Sequence, residues 1–288
     1  TVSYGLPSGD IISSTAQGQL KNMWTSQSQW RSVYGTYQSH YSYKSKYALT
    51  LTGRLDGSTK FGPGNRWGFF PSISGRWNIS DEAFMEDLDW LSMLSFRPGI
   101  GQVGVQPGAE YLHFSKYSSV DVYGDMSATA PNNIRLSDLK WETKTTWNLG
   151  TDIGIFDDKY TMDINVYSQL TKDLLMSNVR IPSSTGYGSL SWKNVGTMRN
   201  QGWELNINGN KCVKVGDFSA GFNLTLGNNV NEIVEMDETV LASLNSDFNY
   251  ANGSYLTRVQ VANAFGSIYG FRYKGVYAYD YDHNGYFL

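Results

Sequence analysis

The sequence has 288 residues, with 23 Lys and Arg against 26 Asp and Glu. Its net charge of −3 gives no reason to expect a nucleic-acid partner. No run of about 18 apolar residues occurs, so the sequence encodes no transmembrane helix. A β-barrel wall, half polar by construction, would escape that criterion. The single cysteine, Cys212, excludes an internal disulfide.

The first part of the chain changes character near residue 30. Residues 1–29 are polar, rich in Ser, Gly and Gln, and without periodicity, which predicts a loop region. From Arg31 onward the side chains alternate with period 2, as in a β-strand whose two faces meet different surroundings. A short connection at 44–46 leads to a long hairpin over 47–80, with aliphatic and aromatic residues on one face and charged and hydroxyl residues on the other.

The alternation recurs along the rest of the chain. After Ser80, apolar residues at helical spacing predict a short capped helix. Strand alternation returns over 94–101, where its parity flips and predicts a bulge near Gly101-Gln102. A second clear hairpin covers 141–166 with a tight turn at 157–159. Further strands are predicted at 203–207, 218–226 and 269–279.

These elements amount to about nine strands, many of them roughly 10–13 residues long. Strands of globular proteins average about 5–6 residues, whereas tilted membrane strands need about 9–11. Short turns alternate with long loops, the loops covering 102–139, 172–200 and 228–264. That asymmetry is typical of outer-membrane barrels. We therefore predict an all-β fold that is part of a large antiparallel transmembrane β-barrel.

The alternation also assigns side chains to the two faces of the predicted wall. The apolar face should meet lipid. Six charged residues fall on the polar face and are predicted to face the interior: Arg54, Arg76, Arg97, Glu142, Asp152 and Glu204. They could contact a substrate, or they could form a lattice of charge pairs and water. The substrate-binding residues themselves stay unknown.

No catalytic motif stands out, and we predict that the protein is not an enzyme. The sequence has no nucleophile elbow, P-loop or CxxC, and its three histidines lie far apart. Aromatic residues in the long loops, such as Tyr111 and Trp192, could stack on sugar rings or grip a peptide. They could equally be packing anchors for the loops.

One incomplete motif could bind a cation. Asp280, Asp282 and Asn284, followed by Gly285, match the opening of a D-x-D-x-N-G calcium loop. The acid expected at its twelfth position would be residue 291, outside the printed sequence. A divalent cation such as Ca²⁺ is one interpretation, and a turn without a metal is the other.

Four ordered stretches carry a family resemblance. They are LDGSTKFGPGNRWGFFPSISGRWNISDEAFM (55–85), LKWETKTTWNLGTDIGIFDDKYTMDINVYSQLTKDLL (139–175), NVGTMRNQGWELNINGN (194–210) and AFGSIYGFRYKGVY (264–277). Together they resemble the barrel segment of SusC/RagA-like TonB-dependent transporters, the outer-membrane nutrient importers of Bacteroidota. On this basis residues 30–280 are a TonB-dependent-receptor barrel segment, and 281–288 begin a further loop.

The resemblance implies a plugged 22-stranded barrel in the outer membrane of a Gram-negative bacterium. It implies import of oligosaccharide or oligopeptide, a SusD-like surface lipoprotein as partner, and energy from the TonB complex through an N-terminal region. No plug, TonB motif or signal peptide is recognisable in the printed residues, so we expect a fragment of such a protein. The alternatives are a passive outer-membrane channel or adhesin, and a soluble β-sandwich glycan-binding module.

Overall fold

The computed structural model describes residues 2–4, 19–22, 28–123, 126–245, 256–270, 272–273 and 275. The strands within these ranges are β1 Val2–Tyr4, β2 Gln19–Asn22, β3 Ser32–Tyr43, β4 Tyr47–Ser58, β5 Trp67–Asn78, β6 Leu91–Val105, β7 Tyr117–Tyr123, β8 Met126–Pro131, β9 Glu142–Ile155, β10 Tyr160–Lys172, β11 Leu175–Arg180, β12 Ser189–Asn194, β13 Gly196–Val215, β14 Phe218–Met236, β15 Leu256–Arg258 and β16 Ser267–Tyr269. The α-helix α1 covers Glu238–Leu244, and single 3₁₀ turns lie at Pro63–Asn65, Ile79–Asp81, Ala83–Met85 and Ser183–Thr185.

Eight of these strands form one antiparallel sheet in the order β14-β13-β10-β9-β6-β5-β4-β3. Each strand therefore pairs with the next long strand along the chain, as in the wall of an up-and-down barrel. The remaining strands form two-stranded sheets, β1-β2, β7-β8, β11-β12 and β15-β16. The all-β antiparallel prediction is confirmed, with eight strands in the described sheet where about nine were predicted. Most of the ninth, at 269–279, lies outside the described residues.

The strands of the large sheet are at least as long as predicted, and β13 and β14 extend beyond the predicted 203–207 and 218–226 into segments that were predicted as loops. The shortest in the large sheet has 12 residues and the longest has 20. At about 3.3 Å per residue, even 12 residues extend about 40 Å, enough to cross a hydrocarbon layer of about 30 Å with a tilt. Length therefore agrees with a membrane wall.

The tight turns are built from residues with positive φ. Lys44 and Ser45 have φ of 50° and 56°, the left-handed pair that a type I′ hairpin requires. Phe156, Asp157 and Asp158 also have positive φ, in the turn between β9 and β10. Short turns match the right-handed strand twist and fix the pairing register.

Two local predictions are wrong. The segment after Ser80 forms two 3₁₀ turns and no capped α-helix. The carboxylate of Glu82 instead accepts hydrogen bonds from Tyr47 and Trp77, which holds the segment against the strand ends. The bulge predicted at Gly101-Gln102 is absent from the β6-β9 ladder, whose irregularity lies between Leu91 and Met93.

Most of the apolar core lies in the loops, and Phe70 on β5 and Ile233 and Met236 on β14 contribute to it from the large sheet. One cluster contains Phe61, Leu112 and Leu139. A second, at the other long loops, contains Val179, Val195, Ile233, Met236, Val240 and Val259. The long connections thus fold into packed structure at one end of the sheet, which we call the loop end. Within the described residues, no helix is both long and apolar enough to span a membrane.

Candidate functional site: the polar face and the loop end

Register divides the large sheet into two faces, because directly paired residues of antiparallel strands lie on the same face. On one face, apolar side chains are 40–62 % exposed, among them Leu49, Leu51, Phe69, Ile73, Trp147 and Leu149. Leu205, paired with Ile164 and Leu226, continues this face and is half-buried. Such a wide apolar surface is stable only against a nonaqueous neighbour or a protein partner.

The opposite face carries continuous polar rows. One row crosses six strands by direct pairing and contains Asn78, Ser95, Asp152, Asp163, Asn206 and Thr225. The neighbouring row contains Arg97, Gly150, Asn165, Glu204 and Gly227. Polar side chains placed in this way can line an aqueous interior, as in membrane barrels.

At the centre of this face lies an ion-pair network that we call the Arg97 cluster: Arg76, Ser95, Arg97, Asp152, Asp163 and Asn165. The Arg97 guanidinium donates to Asp152 at 2.6 Å and to Asp163 at 2.5 Å. Ser95 Oγ donates to the second oxygen of Asp152 at 2.7 Å. One cation therefore cross-links β6, β9 and β10.

Two further contacts complete the Arg97 cluster. Arg76 on β5 lies 4.0 Å from Asp152, and Asn165 donates to Asp163 at 2.5 Å. A Cβ on Gly150 would lie 2.8 Å from Asn165 Oδ1 and 3.1 Å from Arg97 Cζ, so a larger residue here would force both side chains of the cluster to shift. Because two arginines face two aspartates, the cluster neutralises itself and acts chiefly as a lattice within the wall.

Three of the six predicted interior residues, Arg76, Arg97 and Asp152, thus lie together in the Arg97 cluster, and the other three lie apart from it. Arg54 pairs with Asp56 on its own strand at 2.7 and 2.9 Å, and its guanidinium stacks 4.9 Å from the Tyr34 ring. Glu204 is exposed on the polar face, opposite Asn165. That all six face a lumen remains a prediction.

Glu142 has a local role that its sequence position did not reveal. It is buried, 6 % exposed, and its carboxylate accepts from the Leu175 backbone at 3.0 Å. Lys144 Nζ lies 3.4 Å away. Glu142 therefore anchors β11 to the start of β9, where the loops begin.

The candidate calcium residues, Asp280, Asp282 and Asn284, lie outside the described residues. Their metal binding stays a prediction. Within the part of the chain that is described, no three His, Cys, Asp or Glu side chains lie close enough to hold a metal ion.

At the loop end, aromatic side chains pack on the polar face. The Phe61 and Trp141 rings lie 4.6 Å apart, and Phe70 contacts Trp141 edge-on at 5.7 Å. Trp192 packs against the same cluster. It therefore serves as a packing anchor, and it also lines a cavity of about 490 Å³ with Lys140.

Titratable groups of the loops have shifted pKa values. Burial lowers the pKa of His113, and the nearby Arg66 and Arg135 lower it further. Asp237 caps α1 by accepting from the Thr239 backbone at 2.9 Å and pairs with Lys193 at 2.6 Å. The Lys193 contact, followed by the cap, holds the pKa of Asp237 well below its usual range.

Sequence reasoning missed a second loop-end cavity of about 280 Å³, lined in part by Trp30, Arg31, Arg66, Tyr111 and His113. These residues come from three separate segments. No local motif joins them, and the pairing of distant strands alone brings them together.

Comparison with known proteins agrees with this architecture. Residues 3–287 match the family model described as TonB dependent receptor-like, beta-barrel. The match covers nearly the whole chain, so the chain belongs to the TonB-dependent receptor β-barrel family. This is a family of transport receptors and not of enzymes.

Individual proteins similar to this chain are also TonB-dependent receptors. The chain is 33 % identical over 258 residues to the TonB-dependent receptor SusC of Bacteroides thetaiotaomicron, covering 85 % of this chain and 25 % of that protein. It is 31 % identical over 240 residues to a TonB-dependent receptor of Formosa agariphila, covering 83 % of this chain and 22 % of the relative. The chain thus spans about a quarter of the length of these relatives.

Solved structures share the fold. The RagAB peptide transporter superposes with a TM-score of 0.65 at 24 % identity, over 72 % of this chain and 23 % of the matched chain. The RagAB peptide importer in its open-open state superposes with a TM-score of 0.66, also at 24 % identity. The superposition covers 72 % of this chain and 22 % of the matched chain. At this identity the likeness concerns the fold.

Proposed function

We propose that this chain forms part of the wall of a TonB-dependent importer in the outer membrane of a Gram-negative bacterium of the Bacteroidota. Its cargo is a nutrient oligomer, an oligosaccharide or an oligopeptide. The observation that carries the proposal is the pairing of an exposed apolar face with a continuous polar face across eight long strands. Membership of the receptor family and the likeness to SusC support it.

The β-sandwich alternative fits these observations poorly. A sandwich buries the inner faces of two packed sheets against each other. Here the other described sheets have two strands each, and side chains such as Phe69 and Trp67 are about 60 % exposed on the large sheet. A passive channel, by contrast, would share the same wall.

Energy dependence separates an importer from a passive channel. Uptake of labelled neutral oligosaccharides, acidic oligosaccharides and oligopeptides should be compared in wild-type cells and in cells lacking the receptor gene or TonB. Loss of uptake of one class in both deletions is expected. Uptake that needs the receptor but not TonB would contradict the proposal and favour the channel.

A SusD-like surface lipoprotein is the proposed partner, placed over the loop end. The loops there are packed around two apolar clusters and offer a surface for a partner, and likeness to relatives such as SusC supports the proposal. An affinity-tagged receptor, purified in mild detergent, should retain a lipoprotein. The partner would be contradicted if the receptor purified alone at low salt and if cells making that tagged receptor still imported its cargo.

A further inference from the structure

The loop-end cavity of about 280 Å³ lies where β3 and β5 begin. Two of its arginines, Arg31 and Arg66, form no ion pair with any carboxylate among the described residues. The cavity thus carries positive charge without a matching anion. On the large sheet, by contrast, Arg54, Arg76, Arg97, Lys144 and Arg199 each lie within 4.0 Å of a carboxylate.

Two polar atoms beside the cavity are buried and lack a hydrogen-bond partner. They are Arg66 Nε and His113 Nδ1. His113 is only 6 % exposed. A buried polar group without a partner costs about 1–3 kcal/mol, so these two atoms mark a region whose polar groups are incompletely satisfied.

The cavity walls are fixed in place by contacts that do not involve a ligand. The Tyr111 hydroxyl accepts from the Gln29 backbone at 2.7 Å. Phe114 packs against the His113 ring at a centroid distance of 4.1 Å, and the buried Lys60 Nζ lies 5.0 Å from the Trp30 ring. Because these contacts exist already, binding needs little ordering of side chains.

We propose that this cavity binds the carboxylate of an acidic sugar unit, a uronate, within an oligosaccharide ligand. The planar guanidinium fork of Arg66 or Arg31 matches a carboxylate in two parallel hydrogen bonds. The rings of Trp30, Tyr111 and Phe114 line the cavity and supply apolar surface that the C–H groups of a pyranose can contact. This inference rests on the proposed function, since it names the cargo of the importer.

A peptide fits the cavity less well. Extended peptides are held mainly by main-chain hydrogen bonds along a strand edge. This cavity instead presents guanidinium groups and aromatic rings from three loops. The observations therefore favour the sugar over a peptide carboxylate.

The test is direct binding to the complete receptor in detergent, with trigalacturonate as the acidic probe, maltotriose as the neutral one and triglutamate as the peptide one. Trigalacturonate should bind at least roughly tenfold more tightly than either of the others, a difference of about 1.4 kcal/mol. Arg66→Gln should weaken trigalacturonate binding about tenfold, and Arg31→Gln, at an exposed site, should do so without endangering the fold.

Arg199→Gln is the matched control. It removes the same charge from a half-exposed pair with Glu232, 3.9 Å away and outside the cavity, and should leave binding unchanged. Equal binding of trigalacturonate and maltotriose, equal binding of triglutamate, or full binding by both cavity variants would overturn the inference. Because binding needs no TonB, binding without uptake would instead refute the proposed function alone.

Discussion

At the scale of single residues, the Arg97 cluster makes the sharpest prediction. Arg97→Met would leave Asp152 and Asp163 facing each other on paired strands without their shared cation. The three side chains are 18–35 % exposed, so solvent screens part of the repulsion. We expect a loss of about 1–3 kcal/mol in the free energy of unfolding, measured by urea titration in detergent.

Arg54→Met is the control for this change. It removes an arginine of the same face whose partner, Asp56, lies on the same strand, and Arg54 is 49 % exposed. Arg54→Met should lower the free energy of unfolding by less than about 1 kcal/mol. Equal costs for the two variants would show that the Arg97 cluster does not cross-link the wall.

The loop histidine His113 predicts a pH dependence. Its folded pKa lies below the ordinary value of about 6.5, because burial, Arg66 and Arg135 disfavour the charged ring, while the Lys60 backbone bond opposes this. The neutral His113 ring therefore contributes its full stabilisation of the folded state above pH 6.5, and this contribution is lost as the pH falls through the folded pKa. The fall in melting temperature between pH 7.5 and pH 5 should be smaller in His113→Gln. An identical fall would contradict the assignment.

At the scale of elements, the two faces of β9 predict opposite outcomes for neighbouring substitutions. Leu149 lies on the apolar face and is 43 % exposed, while Asn148 lines the polar face. Leu149→Arg should cost about 2–4 kcal/mol of folding free energy near the middle of the bilayer. Asn148→Arg, one residue away, should fold with near wild-type yield. Heat-modifiable mobility on unboiled gels would report both.

The turn segment after β5 predicts a local effect. Glu82 accepts from Tyr47 Oη at 2.5 Å, and Lys46 Nζ lies 3.2 Å away, so its carboxylate ties the segment to two strand ends. The Tyr47 and Trp77 hydrogen bonds, with Lys46, lower the pKa of Glu82. Glu82→Ala should speed amide hydrogen exchange over 82–91. Glu86→Ala, at an exposed site in the same segment, should not, and equal exchange in both would refute the anchor.

Period-2 alternation is the local signal that predicts the most of this fold. Alternation with period 2 predicts the strands and the faces of Leu149 and Arg76 because it needs no knowledge of pairing. The partners of Arg97 could not be predicted in this way, because Asp152 and Asp163 lie 55 and 66 residues away. Helical spacing wrongly predicts a helix after Ser80, because it takes no account of the tertiary contacts of Glu82. The cavity around Arg66 depends on three distant loops and left no sequence signal.

At the scale of the whole molecule, the large sheet is open. β3 and β14 are its edges, and among the described residues neither has a strand partner on its outer side. In hydrocarbon each unsatisfied backbone group costs several kcal/mol, so an open edge cannot persist there. The edges must therefore pair with further strands, whatever chain supplies them.

The open edges predict how residues 1–288 behave when expressed alone. Their long edges, 12 residues in β3 and 19 in β14, should template pairing between copies, so the polypeptide should aggregate rather than insert as a monomer. Size-exclusion chromatography after refolding into detergent, together with gel mobility before and after boiling, measures this. The same residues within the complete receptor should give a heat-modifiable monomer. A stable monomer from residues 1–288, with β3 hydrogen-bonded to β14, would show instead that these strands close a small barrel of their own.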